Sequence, residues 1–205
     1  MGNTIEIKIC GIRRAEDIEI VNRCKPDYIG FILARGYRRT ISPQTAAELR
    51  KHLPEGIKTV GVFVKSPIEE VEEFQRIAGL DAVQLHGDED EEYIKKLNVP
   101  CEVWQVVRVH GGSDVVDVKG ANRILLDKYD ANCYGGTGEV FDASELGRIK
   151  AKSPVILAGG LNAENVIERV KMFKPQGVDV SSAVETDGFK DEQKIKEFIN
   201  IVRMI

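Results

Sequence analysis

Arg123-Ile124-Leu125-Leu126-Asp127, with the loop behind it that reaches Gly135-Gly136-Thr137-Gly138 and then Phe141-Asp142, holds the pattern on which the fold turns. Ile124, Leu125 and Leu126 form an unbroken apolar run, as expected of a strand buried on both faces. An acid closes it. A desolvated, unpaired carboxylate is unfavourable by several kcal/mol or gives up its charge, so packing alone does not account for Asp127. The glycine-rich loop lets backbone come close to a ligand. In isolation the same residues read as a helix cap beside an ordinary loop. The functional reading gains weight because the layout recurs along the chain.

Apolar runs with strand character fall at residues 5–10, 28–33, 58–64, 81–86, 102–109, 123–127, 154–158 and 178–181. Helical patterns lie between them. Residues 14–24 place Ala15, Ile18 and Val21 at helical spacing. Ser42-Pro43 and Ser66-Pro67 each read as a cap followed by proline at the first helical position, the first helix running to about residue 53. An acidic helix follows Gly87 to about residue 97, and a short, weak one is expected near Val115. Further helices are predicted over 142–152, from a cap at Asn162 to 173, and over 191–202. Strands alternating with helices demand parallel pairing. Eight such units without a composition break, and without G-x-G-x-x-G after the first strand, favour a closed (β/α)8 TIM barrel over an open nucleotide-binding sheet. The expectation is one catalytic domain over 1–205, near the lower size limit of about 200 residues for such barrels.

Composition narrows the function. Lys+Arg 29 against Asp+Glu 33 gives a formal charge of −4, so no basic field points to nucleic acid. Cys10, Cys24, Cys101 and Cys133, like His52, His86 and His110, are scattered without metal-ligand spacing. Reduced thiols, no signal-like start and no membrane-length apolar run make a cytoplasmic protein the expectation, with no membrane partner, metal or cofactor.

Chemistry in a parallel barrel gathers at the carboxyl ends of its strands. There the chain offers Cys10, the loop of Arg35, Arg38 and Arg39, Phe63, His86, Arg108, Asp127, Gly159-Gly160 and Ser181-Ser182. Cys10 is an acid or base if its thiol pKa is lowered, and inert core otherwise. Gln84 and His86 alternate on one strand face, and a lone histidine is commonly a structural hydrogen bonder. Gly159-Gly160 followed by Asn162 at a helix start offers backbone N–H groups at the positive end of a helix dipole. Ser181-Ser182 adds hydroxyl and N–H donors. The bottom-up expectation is a small phosphorylated substrate; glycines that merely turn the chain are the alternative.

Lys8-Ile-Cys-Gly11, Val60-Gly-Val-Phe63, Val83-Gln-Leu-His-Gly87, Leu125-Leu-Asp127, Gly135-Gly-Thr-Gly138 with Phe141-Asp142, Gly159-Gly-Leu-Asn162 with Asn165-Val166, and Val178-Asp-Val-Ser-Ser182 with Val184-Glu185 occur in order along the whole chain. Together they resemble the phosphoribosylanthranilate isomerases of tryptophan biosynthesis. The resemblance implies an Amadori rearrangement of N-(5-phosphoribosyl)anthranilate to 1-(2-carboxyphenylamino)-1-deoxyribulose 5-phosphate, without metal or cofactor. It also implies that Asp127 is the general acid and Cys10 the general base. Arg39 then holds the anthranilate carboxylate, and Gly136, Gly159, Gly160, Ser181 and Ser182 cradle the phosphate. Asp179 is expected to point into the barrel mouth near the sugar, and His86 is the further substrate-binding candidate. The acid needs to keep its proton near neutral pH, and the base to lose one, which a nearby positive charge favours.

Three departures from the family pattern stand out: Tyr37-Arg38-Arg39 replaces Ser-x-Arg, leaving Arg38 as an alternative to Arg39, Ala143 replaces a tryptophan, and Ala183 replaces a glycine. Rival readings are a histidine-pathway or dual-specificity aminoaldose isomerase, which uses aspartate where Cys10 stands, and a non-catalytic phosphate-binding barrel, which does not require Cys10 and Asp127 together. The oligomeric expectation is a monomer or homodimer.

Overall fold

A computed structural model describes residues 4–109, 115–116, 118–128 and 150–205. Eight strands form its centre: β1 (Glu6–Cys10), β2 (Tyr28–Ile32), β3 (Lys58–Phe63), β4 (Ala82–Leu85), β5 (Glu102–Val109), β6 (Arg123–Lys128), β7 (Val155–Leu157) and β8 (Gly177–Val180). They close into a barrel in the order β1-β8-β7-β6-β5-β4-β3-β2. All neighbours run parallel, and β1 closes the ring by pairing with both β2 and β8. The TIM-barrel expectation therefore holds.

Most strands carry apolar residues on both faces because each face meets a different core. Ile7, Ile9, Ile124, Leu126, Val178 and Val180 pack outward in a large cluster with helix residues such as Ile18, Val71 and Phe198. Tyr28, Val60, Ala82, Trp104, Val106, Leu125, Ile156 and Ala158 fill the barrel interior. At about 1.5–3 kcal/mol for each fully buried large apolar side chain, the two layers together supply the main favourable term of the fold.

The surrounding helices among the described residues are α1 (Ala15–Cys24), α2 (Pro43–Arg50), α3 (Ile68–Ala78), α4 (Glu91–Lys96), α5 (Val166–Phe173) and α6 (Glu192–Arg203). α6 buries Ile195, Phe198, Ile199 and Val202, the apolar stripe of an amphipathic helix. Ser42 caps α2 as expected, accepting from the Thr45 amide. Ser66 does not cap α3; Pro67 occupies that position, and Ser66 is buried with its carbonyl accepting from the Tyr93 hydroxyl. The helix expected near Val115 is instead a two-residue strand, Val115–Val116, paired with Lys150–Ala151. Two consecutive β-branched residues favour that extended conformation. Residues 142–149 of the helix expected over 142–152 lie outside the described residues.

The amino-terminal end of the barrel is plugged by a polar cluster. Arg123 pairs with Glu6, reaches Glu102 through Nε at 3.0 Å, and donates to the Tyr28 hydroxyl at 3.0 Å. Trp104 donates from its indole to Glu102 at 2.8 Å and meets the Tyr28 ring edge-on at 5.0 Å between centroids. Arg123→Met removes the cation that bonds Glu6, Glu102 and Tyr28 together at this plug. The expected loss is about 1–3 kcal/mol, read as a lower urea midpoint with kcat unchanged, because the plug lies at the opposite end from the strand termini discussed below.

Candidate active site

The carboxyl ends of the strands surround a cavity of about 610 Å³. Cys10, Arg39, His86, Asp127, Gly159, Gly160, Asp179, Ser181 and Ser182 all line it, so the described site residues read from the sequence are brought together. Gly136, the remaining one, lies outside the described residues, as do the 135–138 loop and Phe141-Asp142. Phe63, also read as a strand-end candidate, faces the other way: it is fully buried against the helix layer, 6.4 Å from the Phe74 ring. Arg35 is turned outward to Glu70, at 2.8 Å.

Cys10 ends β1 facing inward, next to Gly30 on β2. A Cβ at Gly30 would stand 2.7 Å from the Cys10 sulfur, so the thiol occupies space that any other residue would fill. Lys8, two residues earlier on the same face and 1% exposed, bonds Asp179 Oδ1 through Nζ at 2.9 Å and lies within hydrogen-bonding reach of the thiol. Burial opposes the Lys8 charge, yet Asp179 and Cys10 outweigh it and raise the lysine's pKa. The thiol itself is not lowered, contrary to what a ready-made base requires. Burial pushes it above its ordinary 9.0; Lys8 and Lys190 pull it down, and Asp179 adds to the rise.

Asp127, next to last in β6, faces the same cavity and is buried. His86 Nε2 lies 3.2 Å from Asp127 Oδ2, while its Nδ1 lies 2.9 Å from Gln84 Nε2. Both Gln84 and His86 face inward, as alternation on β4 implies. Exchanging the oxygen and nitrogen of the Gln84 amide reverses the roles along the chain of bonds, but either arrangement holds one imidazole nitrogen against the carboxylate. Arg108 donates to the His86 carbonyl at 2.6 Å and fixes that strand end.

In the loop after β2, Arg39 is the enclosed arginine at 13% side-chain exposure, against 63% for Arg38. Its guanidinium donates from Nη1 to Ser181 Oγ at 3.0 Å, and Ser181 in turn donates to the Cys10 carbonyl at 3.0 Å. The Ser181 hydroxyl is thus committed within the protein, and an anion here would meet its backbone instead. Gly159 and Gly160 both have positive φ, 77° and 67°. The helix expected at Asn162 begins later, at Val166. Asn162 Oδ1 accepts from the amides of Glu164 and Asn165, making a local turn that delays the helix. An anion at this loop would therefore meet loop amides more than a helix terminus.

A family model described as N-(5'phosphoribosyl)anthranilate (PRA) isomerase matches residues 7–201. The chain belongs to the phosphoribosylanthranilate isomerase family. It is similar to the N-(5'-phosphoribosyl)anthranilate isomerase of Clostridium acetobutylicum, 49% identical over 203 residues and covering 97% of this chain and 98% of that one. The enzyme of the same name from Acetivibrio thermocellus is 47% identical, with 96% and 95% covered. Among solved structures, phosphoribosyl anthranilate isomerase from Thermus thermophilus superposes with a TM-score of 0.83 at 31% identity over 98% of this chain and 99% of that one. A phosphoribosyl anthranilate isomerase in complex with reduced 1-(o-carboxyphenylamino)-1-deoxyribulose 5-phosphate does so at 0.80 and 30%, covering 98% and 100%.

Within this phosphoribosylanthranilate isomerase barrel, Lys8, Glu185 and Lys190 stand by the site without having been singled out as site residues from the sequence. The alternation rule that places Cys10 inward also places Lys8 inward, so that signal was available. Lys190 had none: it belongs to a hairpin, Glu185–Thr186 against Phe189–Lys190, inserted between β8 and α6 and not foreseen. Among the described residues there is no cluster of side chains suited to hold a metal ion, and no helix is long and apolar enough to cross a membrane.

Proposed function

We propose that residues 1–205 act as one catalytic unit in the cytoplasm, isomerising N-(5'-phosphoribosyl)anthranilate to 1-(2-carboxyphenylamino)-1-deoxyribulose 5-phosphate. The observation that carries this reading is the convergence of Cys10, Asp127, Arg39 and the Gly159–Gly160 and Ser181–Ser182 loops on one cavity. Asp127 donates a proton to the ribose ring oxygen as the C1–oxygen bond breaks and the anilino nitrogen lone pair forms an iminium. His86 and Gln84 hold the carboxyl group in line for that transfer. Cys10 then removes the C2 proton, the electron pair moves to the iminium, and the resulting enolamine tautomerises to the ketone. Only protons move.

The raised thiol pKa fits this order. Cys10 stays protonated in the empty site, and the iminium, together with Lys8 and Lys190, favours the thiolate at the moment it is needed. Arg39 takes the anthranilate carboxylate, and the amides around Gly160 and Ser182 take the phosphate, with Gly136 completing the cradle. Arg39→Ala should raise KM by the equivalent of about 1.5–3 kcal/mol, with a smaller change in kcat. An equal loss in Arg38→Ala and none in Arg39→Ala would assign the carboxylate to the other arginine.

The test is turnover of freshly prepared phosphoribosylanthranilate, followed by loss of its fluorescence, beside the histidine-pathway aminoaldose as second substrate. The expected result is turnover of the first. Turnover of the second alone would transfer the chain to the sister activity, and turnover of neither would support the phosphate-binding barrel.

A further inference from the structure

Glu185 is a carboxylate at the rim of a site that is to bind an anion, and the mechanism above gives it no task. Its side chain is 5% exposed and sits among three cations. Arg39 Nε and Lys190 Nζ lie 3.0 and 2.8 Å from Oε1, and Arg38 Nη2 lies 3.1 Å from Oε2. Lys190 is 1% exposed and Arg39 13%, so this part of the cluster is out of water and depends on its internal pairing.

The geometry at Arg39 is directional. Nη2 donates to Glu185 Oε2 at 3.4 Å and Nη1 to Ser181 Oγ at 3.0 Å, while Nε lies 3.0 Å from Oε1 as an ion pair without a hydrogen bond of its own. A planar fork held at two places has its orientation fixed, and each terminal nitrogen keeps a second N–H beyond the one given to Glu185 or Ser181. The backbone makes room for this arrangement. Gly11, at φ 85°, would place a Cβ 2.7 Å from Arg39 Cδ, and Gly188, at φ 79°, would place one 2.7 Å from Arg38 Nη1. The hairpin that carries Glu185 and Lys190 is itself clamped: Arg13 donates to the Gly188 carbonyl at 3.0 Å, and the Arg13 and Arg14 guanidinium groups lie 4.9 and 4.1 Å from the Phe189 ring centroid. Three cations around one anion leave the cluster net positive, so Glu185 orients Arg39 without cancelling its attraction for a further carboxylate.

We propose that Glu185 is a positioning residue that sets the preference for a carboxylated aromatic group, by aiming the remaining terminal N–H groups of Arg39 into the cavity. This rests on the reading of Arg39 as the carboxylate-binding residue. The competing role, action through Lys190 on the Cys10 thiol, differs in its signature: it changes kcat and is indifferent to the carboxylate of the ligand.

The test compares binding of reduced 1-(2-carboxyphenylamino)-1-deoxyribulose 5-phosphate with its phenylamino counterpart lacking the carboxylate, in wild type, Glu185→Gln and Glu185→Asp. Wild type should favour the carboxylated ligand by about ten- to a hundredfold. Glu185→Gln should lose most of that preference by weakening the carboxylated ligand alone, with KM rising more than kcat falls; Glu185→Asp should keep part of it. Should Glu185→Gln not fold, a preference reduced in Glu185→Asp supports the proposal and an unchanged one overturns it. An undiminished preference in Glu185→Gln, or equal weakening of both ligands, overturns the proposal while leaving Arg39 in its role. No preference in the wild type refutes the role of Arg39, and the proposal with it.

Discussion

Asp127→Asn should stop the reaction at the closed sugar. Ring opening requires a proton donor before any acidic carbon exists, and an amide neither donates its proton usefully nor recovers it. The expected loss in kcat is about 10²–10⁴-fold, the range of a positioned general acid. Substrate should still bind, because Arg39 and the loops after β7 and β8 are untouched. In single turnover the variant should therefore show binding without any open-chain intermediate. His86→Ala should give a smaller loss, since it disturbs the aim of the carboxyl group and leaves the proton donor in place. A variant of Asp127 that opens the ring at the wild-type rate would move the acid elsewhere in the cavity.

Cys10→Ala is expected to fail one step later. Opening proceeds, and the iminium then waits for a base that is missing, again with a loss of about 10²–10⁴-fold. Cys10→Ser should recover little, because a hydroxyl is a far weaker base than a thiolate. The raised thiol pKa adds a pH signature with a definite sign. A base must be deprotonated to act, so kcat/KM, which reports the free enzyme, should climb with pH and still be climbing near the ordinary thiol value of 9.0. The same limb in kcat should lie at lower pH, since the bound cation favours the thiolate. Measuring both profiles from pH 6 to about 10 checks this; coincident limbs would remove the iminium from the account.

Much of this was legible in the chain because it follows from two periodicities. Apolar runs such as Ile124–Leu126, repeated with short connections, leave a closed parallel barrel as the economical solution, and period-two alternation then points Cys10, Gln84, His86, Asp127 and Asp179 to one cavity. Less accessible were features set by tertiary contacts. The Ser66-Pro67 pair is written like Ser42-Pro43, yet the burial of Ser66 under Tyr93 removes it from the capping position. Asn162 satisfies neighbouring amides in a turn, and the helix starts at Val166. The thiol pKa could not be read because its sign is a balance between burial and two lysines, one of them carried in by an unforeseen hairpin. Glu185 was visible as part of a motif, but nothing in one dimension says that three cations meet on it.

The most direct measurement of the central claim, that Asp127 opens the ring and Cys10 then takes the C2 proton, is single-turnover kinetics on phosphoribosylanthranilate deuterated at C2 of the ribose. Wild type and Cys10→Ser are compared, with the proton and deuteron substrates run side by side. The expected result is a slowed Cys10→Ser enzyme whose isotope effect exceeds that of the wild type, because the weaker base makes proton removal limiting. A Cys10→Ser enzyme with the wild-type rate and no isotope effect would contradict it and return Cys10 to the inert core.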